Sequence, residues 1–220
     1  MRFLLIAVLF VFAFAVPSGA EALDIQLKFS KRLEKDMKKI NEKELQREAM
    51  FRKYRIELEP GKKAKNLMID KYQDTIWANE YLLPDLNTYS VPNLMRTMAW
   101  AAFHQIAEPG FNGTLVIEVD SFFIPEFPLA RYRSHGPRMN GKFTLLDGAG
   151  NVMAEAEVAA RVVKRYTVST SYQGPEFAYA ETAVDGRMGP IVAAFVEKGL
   201  EDLLPGADAP GPILVQMKTH

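Results

Sequence analysis

The chain has 220 residues, 27 Lys+Arg against 27 Asp+Glu, three histidines and no cysteine. Disulfides, thiol nucleophiles and thiolate metal sites are therefore excluded, and a transition-metal centre is poorly supplied with ligands. The even balance hides an asymmetry: residues 28–65 carry fourteen Lys/Arg against seven Asp/Glu, and residues 66–220 carry twelve against eighteen.

Met1-Arg2 opens an apolar run from Phe3 to Val16, followed by Pro17 and the small residues Ser18-Gly19-Ala20. One positive charge, a short apolar core and small residues predict a secretory signal peptide over residues 1–22, cleaved after Ala20 or Ala22. The run falls short of the ~20 residues a spanning helix needs, and no later run is longer. The competing reading is an uncleaved N-terminal anchor. A cysteine-free exported protein points to the bacterial periplasm, with an extracellular location as the alternative. Asn112-Gly113-Thr114 matches a glycosylation sequon, which matters only on a eukaryotic secretory route.

Residues 23–65 read as a basic helical arm and a first strand. Lys28 to Lys53 is rich in Lys and Glu and free of Gly and Pro, a composition that favours helix. Phe29, Leu33, Met37 and Ile40 follow helical spacing, whereas Leu45 and Ala49 fall off that stripe. Such a helix either binds a protein partner or an anionic membrane surface, or lies lightly packed on its own domain. Tyr54-Arg55-Ile56-Glu57-Leu58-Glu59 alternates as a strand does, and Pro60-Gly61 ends it.

Residues 66–212 read as the folded domain. Trp77, Tyr81, Leu82 and Leu83 are expected to pack. Ser90-Val91-Pro92 and Glu108-Pro109-Gly110 bracket a helix over 93–107, with His104 as a hydrogen-bonded structural residue. Leu115, Ile117 and Val119 alternate on one face of the next strand, and Phe122-Phe123-Ile124 extends it. Alternation resumes at Met139, Gly141, Phe143 and Leu145, and Asp147-Gly-Ala-Gly-Asn151 is a hairpin turn. Val152 to Val168 keeps period two and reads as a long strand. Ala178 to Thr182 reads as short or irregular. Met188 to Leu204 reads as the last helix, stopped by Pro205-Gly206. Residues 213–220 form a tail in which Ile213-Leu214-Val215 could add an edge strand.

The sequence carries no G-x-S-x-G elbow, H-E-x-x-H pair, P-loop or G-x-G-x-x-G loop, so no catalytic residue or cofactor is assigned. One constellation stands out. Arg131, Arg133, His135 and Arg138 lie within eight residues of an otherwise acidic segment. Arginine's planar fork suits phosphate or carboxylate, so this loop is a candidate for binding an anion or a partner. The alternative is a solvated connection whose arginines pair with Asp120 or Glu126. A second candidate is an apolar groove between helix and sheet, lined by Trp100, Phe103 and Phe122. Nucleic acid fits poorly, because no aromatic residues interleave with a basic stripe.

The run Gly113-Thr-Leu-Val-Ile-Glu-Val-Asp120, an arginine-containing loop, Gly141-Lys-Phe-Thr-Leu-Leu-Asp147-Gly-Ala-Gly-Asn-Val152 and a final helix resembles small α/β modules of bacterial envelope proteins. These include ABC-transport auxiliary lipoproteins and related lipoproteins of unknown function. The resemblance spans about residues 90–204 and implies a non-enzymatic role in assembly, trafficking or scaffolding. The cysteine that carries the lipid in those proteins is missing here.

The expectation is an α+β fold: a mainly antiparallel sheet with the 93–107 and 188–204 helices on one face, preceded by a basic helical arm. The expected function is that of an exported, periplasmic interaction or accessory protein of the bacterial cell envelope, with an envelope protein or a membrane surface as partner. A carrier of an apolar or lipidic ligand, and an enzyme of unrecognised type, are the competing readings.

Overall fold

The structure is a computed structural model; it describes residues 23–56, 75–124, 136–167, 172–181 and 186–216. In chain order the elements are β1 (Leu23–Phe29), α1 (Lys31–Ile56), α2 (Ala78–Leu82), α3 (Val91–Ile106), β2 (Gly113–Phe123), β3 (Arg138–Asp147) and β4 (Val152–Arg161). They continue with β5 (Tyr166–Thr167), β6 (Phe177–Ala180), α4 (Met188–Leu203) and β7 (Pro212–Val215). The class is α+β, as expected.

The main sheet runs β1-β2-β3-β4, with β1 parallel to β2 and the other pairs antiparallel. The period-two pattern decides which face is covered. Leu115, Ile117 and Val119 of β2, Met139, Phe143 and Leu145 of β3, and Val158 and Ala160 of β4 are all buried. They meet α3 through Leu94, Met98 and Phe103, and α4 through Ile191, Phe195 and Leu200, in one continuous core. Each of these side chains larger than alanine contributes roughly 1.5–3 kcal/mol by leaving water. The approach of α4 to the sheet is close enough that a Cβ at Gly199 would come within 2.5 Å of the Phe143 ring. The other sheet face is solvated and carries charge pairs, Lys28 with Glu118 at 3.0 Å and Lys142 with Glu155 at 2.8 Å.

The β3–β4 hairpin turns as its residues demand. Gly150 sits at φ 84°, and the Asp147 carboxylate accepts from the Ala149 and Asn151 amides at 2.9 and 2.8 Å and from the Asn151 side chain at 3.0 Å. Those donors, the Asn151 side chain foremost, hold the Asp147 carboxyl below its ordinary pKa.

A second sheet of three parallel strands runs β5-β7-β6. Ile213-Leu214-Val215, expected as an edge, is therefore its central strand. The stretch from Ala178, expected to be short or irregular, contributes the short strand β6. Arg165 holds this sheet to α4 through Glu197 and to the segment before β6 through Glu176 at 3.4 Å.

Three further expectations change. Leu23–Phe29 is a strand on the edge of the main sheet, paired residue for residue with Gly113–Val119. Its alternation of Leu23, Ile25, Leu27 and Phe29 lay between an expected signal peptide and an expected helix start at Lys28. Tyr54 to Ile56 continues α1 where a strand was expected; residues 57–59 of that expected strand lie outside the described ones. Three alternating residues do not outweigh a helix that already runs from Lys31 to Lys53. Tyr81 is 70% exposed, whereas Trp77, Leu82 and Leu83 are buried.

Candidate functional site

Helix α1 builds two neighbouring features, and its spacing explains both. Its inward stripe begins apolar with Leu33, Met37 and Ile40 and continues at the same spacing as Glu44, Glu48 and Arg52, all three buried. Buried charges persist only where partners satisfy them.

Glu48 accepts from Arg52 Nε at 2.9 Å and Asn79 Nδ2 at 2.9 Å, and it pairs with Arg187. Arg52 also donates to the Pro84 and Leu83 carbonyls at 2.7 and 2.8 Å, just past the end of α2. Asn79 donates to the Tyr89 hydroxyl at 3.2 Å, and the Tyr179 hydroxyl reaches Asn79 Oδ1 at 3.5 Å. Burial raises both phenol pKa values above their ordinary value; the Glu44 charge adds to the shift at Tyr89. Burial pulls Arg187 down to about 10, against the favourable charge of Glu44. The Arg187 guanidinium also lies 4.9 Å over the Phe51 ring.

The same helix stops the N-termini of two others. Glu44 accepts the Met188 amide of α4 at 2.9 Å, and Asn41 accepts the Val91 amide of α3 at 2.9 Å. Both amides belong to first turns that lack partners within their own helix. A carboxylate at such an end is also favoured by the helix dipole. This network is a clasp. The cavity beside it, lined by Glu48, Phe51, Trp77, Asn79, Tyr179 and Arg187, measures about 10 Å³. That is room for about one water and not for a substrate.

The second feature is a cleft of about 510 Å³ between the first half of α1 and the far ends of β2 and β3. Arg32, Asp36, Lys39 and Lys43 form one stripe of α1, displaced to one side of the buried stripe, and make one wall together with Leu33 and Ile40. Asp120, Ser121, Phe122, Phe123 and Arg138 make the other. Two local devices position these walls. Ser30, immediately before α1, donates its hydroxyl to the Asp120 carbonyl at 2.8 Å and its amide to Val119 at 3.0 Å, pinning the start of the helix to the end of β2. The pairing of β2 with β3 also slips at Asp120. Val119 faces Gly141, but Phe122 faces Met139, so the bulge changes which residues share the covered face.

Phe123 is 42% exposed, and the Arg138 guanidinium stacks 5.0 Å from its ring centre. Among the described residues no ion pair engages Arg32, Lys39 or Lys43. Among the described residues no group of His, Asp and Glu is placed to hold a metal ion.

Of the residues singled out in sequence, Arg138 and Phe122 meet in this cleft. Arg131, Arg133 and His135 lie outside the described residues. Phe103 is buried at the rim of a 150 Å³ depression with His104 and Phe111. Trp100 is 49% exposed and lines another depression, of about 300 Å³, with Leu23, Asp24 and Arg96. The three aromatic residues of the expected groove thus border three different hollows. His104 donates from Nδ1 to the Trp100 carbonyl at 2.8 Å, one turn earlier in α3.

Sequence reasoning missed Glu44, Glu48, Arg52, Asn79 and Arg187. The signal was present: Glu44, Glu48 and Arg52 continue the three- and four-residue spacing of Leu33, Met37 and Ile40, but in charged residues, which a search for an apolar stripe passes over. No described helix is long and apolar enough to cross a membrane. Comparison with protein-family models, with curated proteins and with solved structures gives no match in any of the three.

Proposed function

We propose that the chain is an exported accessory protein of the bacterial cell envelope that works by binding, through the cleft between α1 and the main sheet. One observation carries the binding half of this reading. Three cations of α1 line a concave surface with apolar residues beneath them, and no acid among the described residues neutralises them by direct contact. Cations left open in a hollow of 510 Å³ are available to a ligand, whereas paired ones are not.

The non-enzymatic part is supported by the clasp. Its carboxylates, the most buried acids described, are engaged by Arg52, Asn79, Arg187 and the Met188 amide, and the space beside them admits no substrate. The export half is supported by the N-terminal sequence alone: one positive charge, a short apolar run and small residues before Glu21.

Two measurements test the proposal. Expressed in a Gram-negative host, the protein is expected in the osmotic-shock fraction with residues 1–20 or 1–22 removed. Retention of the uncleaved chain in the cytoplasm overturns export. A photo-crosslinking residue at Lys39 is expected to capture an envelope component that the same residue at Glu157, on the solvated sheet face, does not capture. Equal capture at both positions overturns the role of the cleft.

A further inference from the structure

We infer that the ligand of this cleft is an anionic amphiphile: one molecule with a phosphate or carboxylate head and a short hydrocarbon chain. The inference rests on the binding role of the cleft and names what binds there. The lining has two parts of different chemistry. Leu33, Ile40, Phe122 and Phe123 offer apolar surface from both walls, and Phe123 stands 42% exposed with the Arg138 guanidinium 5.0 Å from its ring centre. Around them Arg32, Lys39, Lys43 and Arg138 outnumber Asp36 and Asp120.

A cationic rim selects for an anion, and two of its members are arginines, whose forked donors fit phosphate and carboxylate oxygens. An inorganic anion alone would leave the phenyl rings wet. A neutral hydrocarbon would make no use of the four exposed cations that line the hollow. A molecule with both parts satisfies both surfaces, and about 510 Å³ lies within the range of small-molecule sites. Arg138 joins the two parts of the lining, since its guanidinium carbon lies 5.0 Å from the Phe123 ring centre and its charge stands beside the exposed ring.

The test uses the mature full-length chain and dodecyl phosphate below its micelle concentration, followed by titration calorimetry. Saturable binding of one molecule per chain is expected. Dodecyl maltoside, which has the same chain and a neutral head, and inorganic phosphate, which has no chain, are each expected to bind at least about tenfold more weakly, a difference of about 1.4 kcal/mol. The double variant Lys39→Glu/Lys43→Glu and, separately, Phe123→Ser should each weaken dodecyl phosphate by a similar factor. All three positions are solvent-accessible, so circular dichroism should show these variants folded.

Equal binding of dodecyl maltoside, or undiminished binding by the lysine variant, overturns the inference. Binding to phosphatidylglycerol vesicles without binding of the monomeric probe also overturns it, because the cations would then serve a membrane surface. If dodecyl phosphate fails to bind while crosslinking at Lys39 persists, the amphiphile is wrong and the binding role of the cleft stands. If both fail, the cleft is not the working surface.

Discussion

The two halves of α1 use charge in opposite ways. From Glu44 to Arg52 the helix turns charged residues inward, and each finds a partner: Glu44 the Met188 amide, Glu48 the side chains of Arg52, Asn79 and Arg187, Arg52 the Leu83 and Pro84 carbonyls. From Arg32 to Lys43 it turns apolar residues inward and leaves its cations on the flank of an open cleft. The C-terminal half holds the helix down; the N-terminal half has charge to offer. A basic composition over residues 28–65 therefore mixes two populations that a net charge cannot separate.

The comparison can be broken hardest at Glu48. Glu48→Ala leaves Arg52 and Arg187 without their shared carboxylate in a buried site, and a loss of about 3–5 kcal/mol in urea denaturation is expected. Glu44→Gln is expected to cost less, about 1–2 kcal/mol, because a neutral amide oxygen still accepts from Met188 but no longer complements the α4 terminus with charge.

The third effect follows pH. Tyr89 and Tyr179 both have pKa values raised by burial. A raised group keeps its proton in the folded state where the unfolded chain would lose it. The stability it contributes is complete below the ordinary tyrosine value near ~10 and declines as pH rises through it. Stability should therefore fall above about pH 10, and the double variant Tyr89→Phe/Tyr179→Phe should flatten that fall in denaturation curves taken from pH 8 to 12.

The smallest effect on stability belongs to the cleft wall. Lys39→Glu/Lys43→Glu should leave stability within about 0.5 kcal/mol of the parent, since neither lysine has an ion-pair partner among the described residues, while ligand capture falls. A large loss of stability there would erase the distinction between the two halves.

Much of the fold was legible because burial writes itself as period. Leu115, Ile117 and Val119 against Phe143 and Leu145, the Asp147–Asn151 turn and the bracketed helix at 91–106 all follow from alternation, positive-φ residues and stop signals. β1 was lost because Leu23 and Asp24 adjoin the expected cleavage point, so its four alternating apolar residues were never counted together. β7 looked like an edge because parallel pairing joins segments far apart in sequence, which no local pattern records. The site was legible only in part. Arg138 and Phe122 were singled out for separate reasons, and the bulge at Asp120 and the Ser30 contact bring them to one cleft. The clasp was hidden because buried stripes were sought among apolar residues. Glu44, Glu48 and Arg52 have the spacing of a core face with the chemistry of a surface, and only Asn79 and Arg187, distant in sequence, make that combination tolerable.

The central claim is that α1 is fastened to the domain by its second half and so walls the cleft with its first. Amide hydrogen exchange along α1 in the full chain tests it most directly. The amides from Glu44 to Arg52 are expected to exchange as slowly as those of α4, and Glu48→Ala is expected to release them selectively. Rapid exchange over all of Lys31–Ile56 in the parent protein, with α4 still protected, would mean that the helix stands free of the domain and would contradict both clasp and cleft.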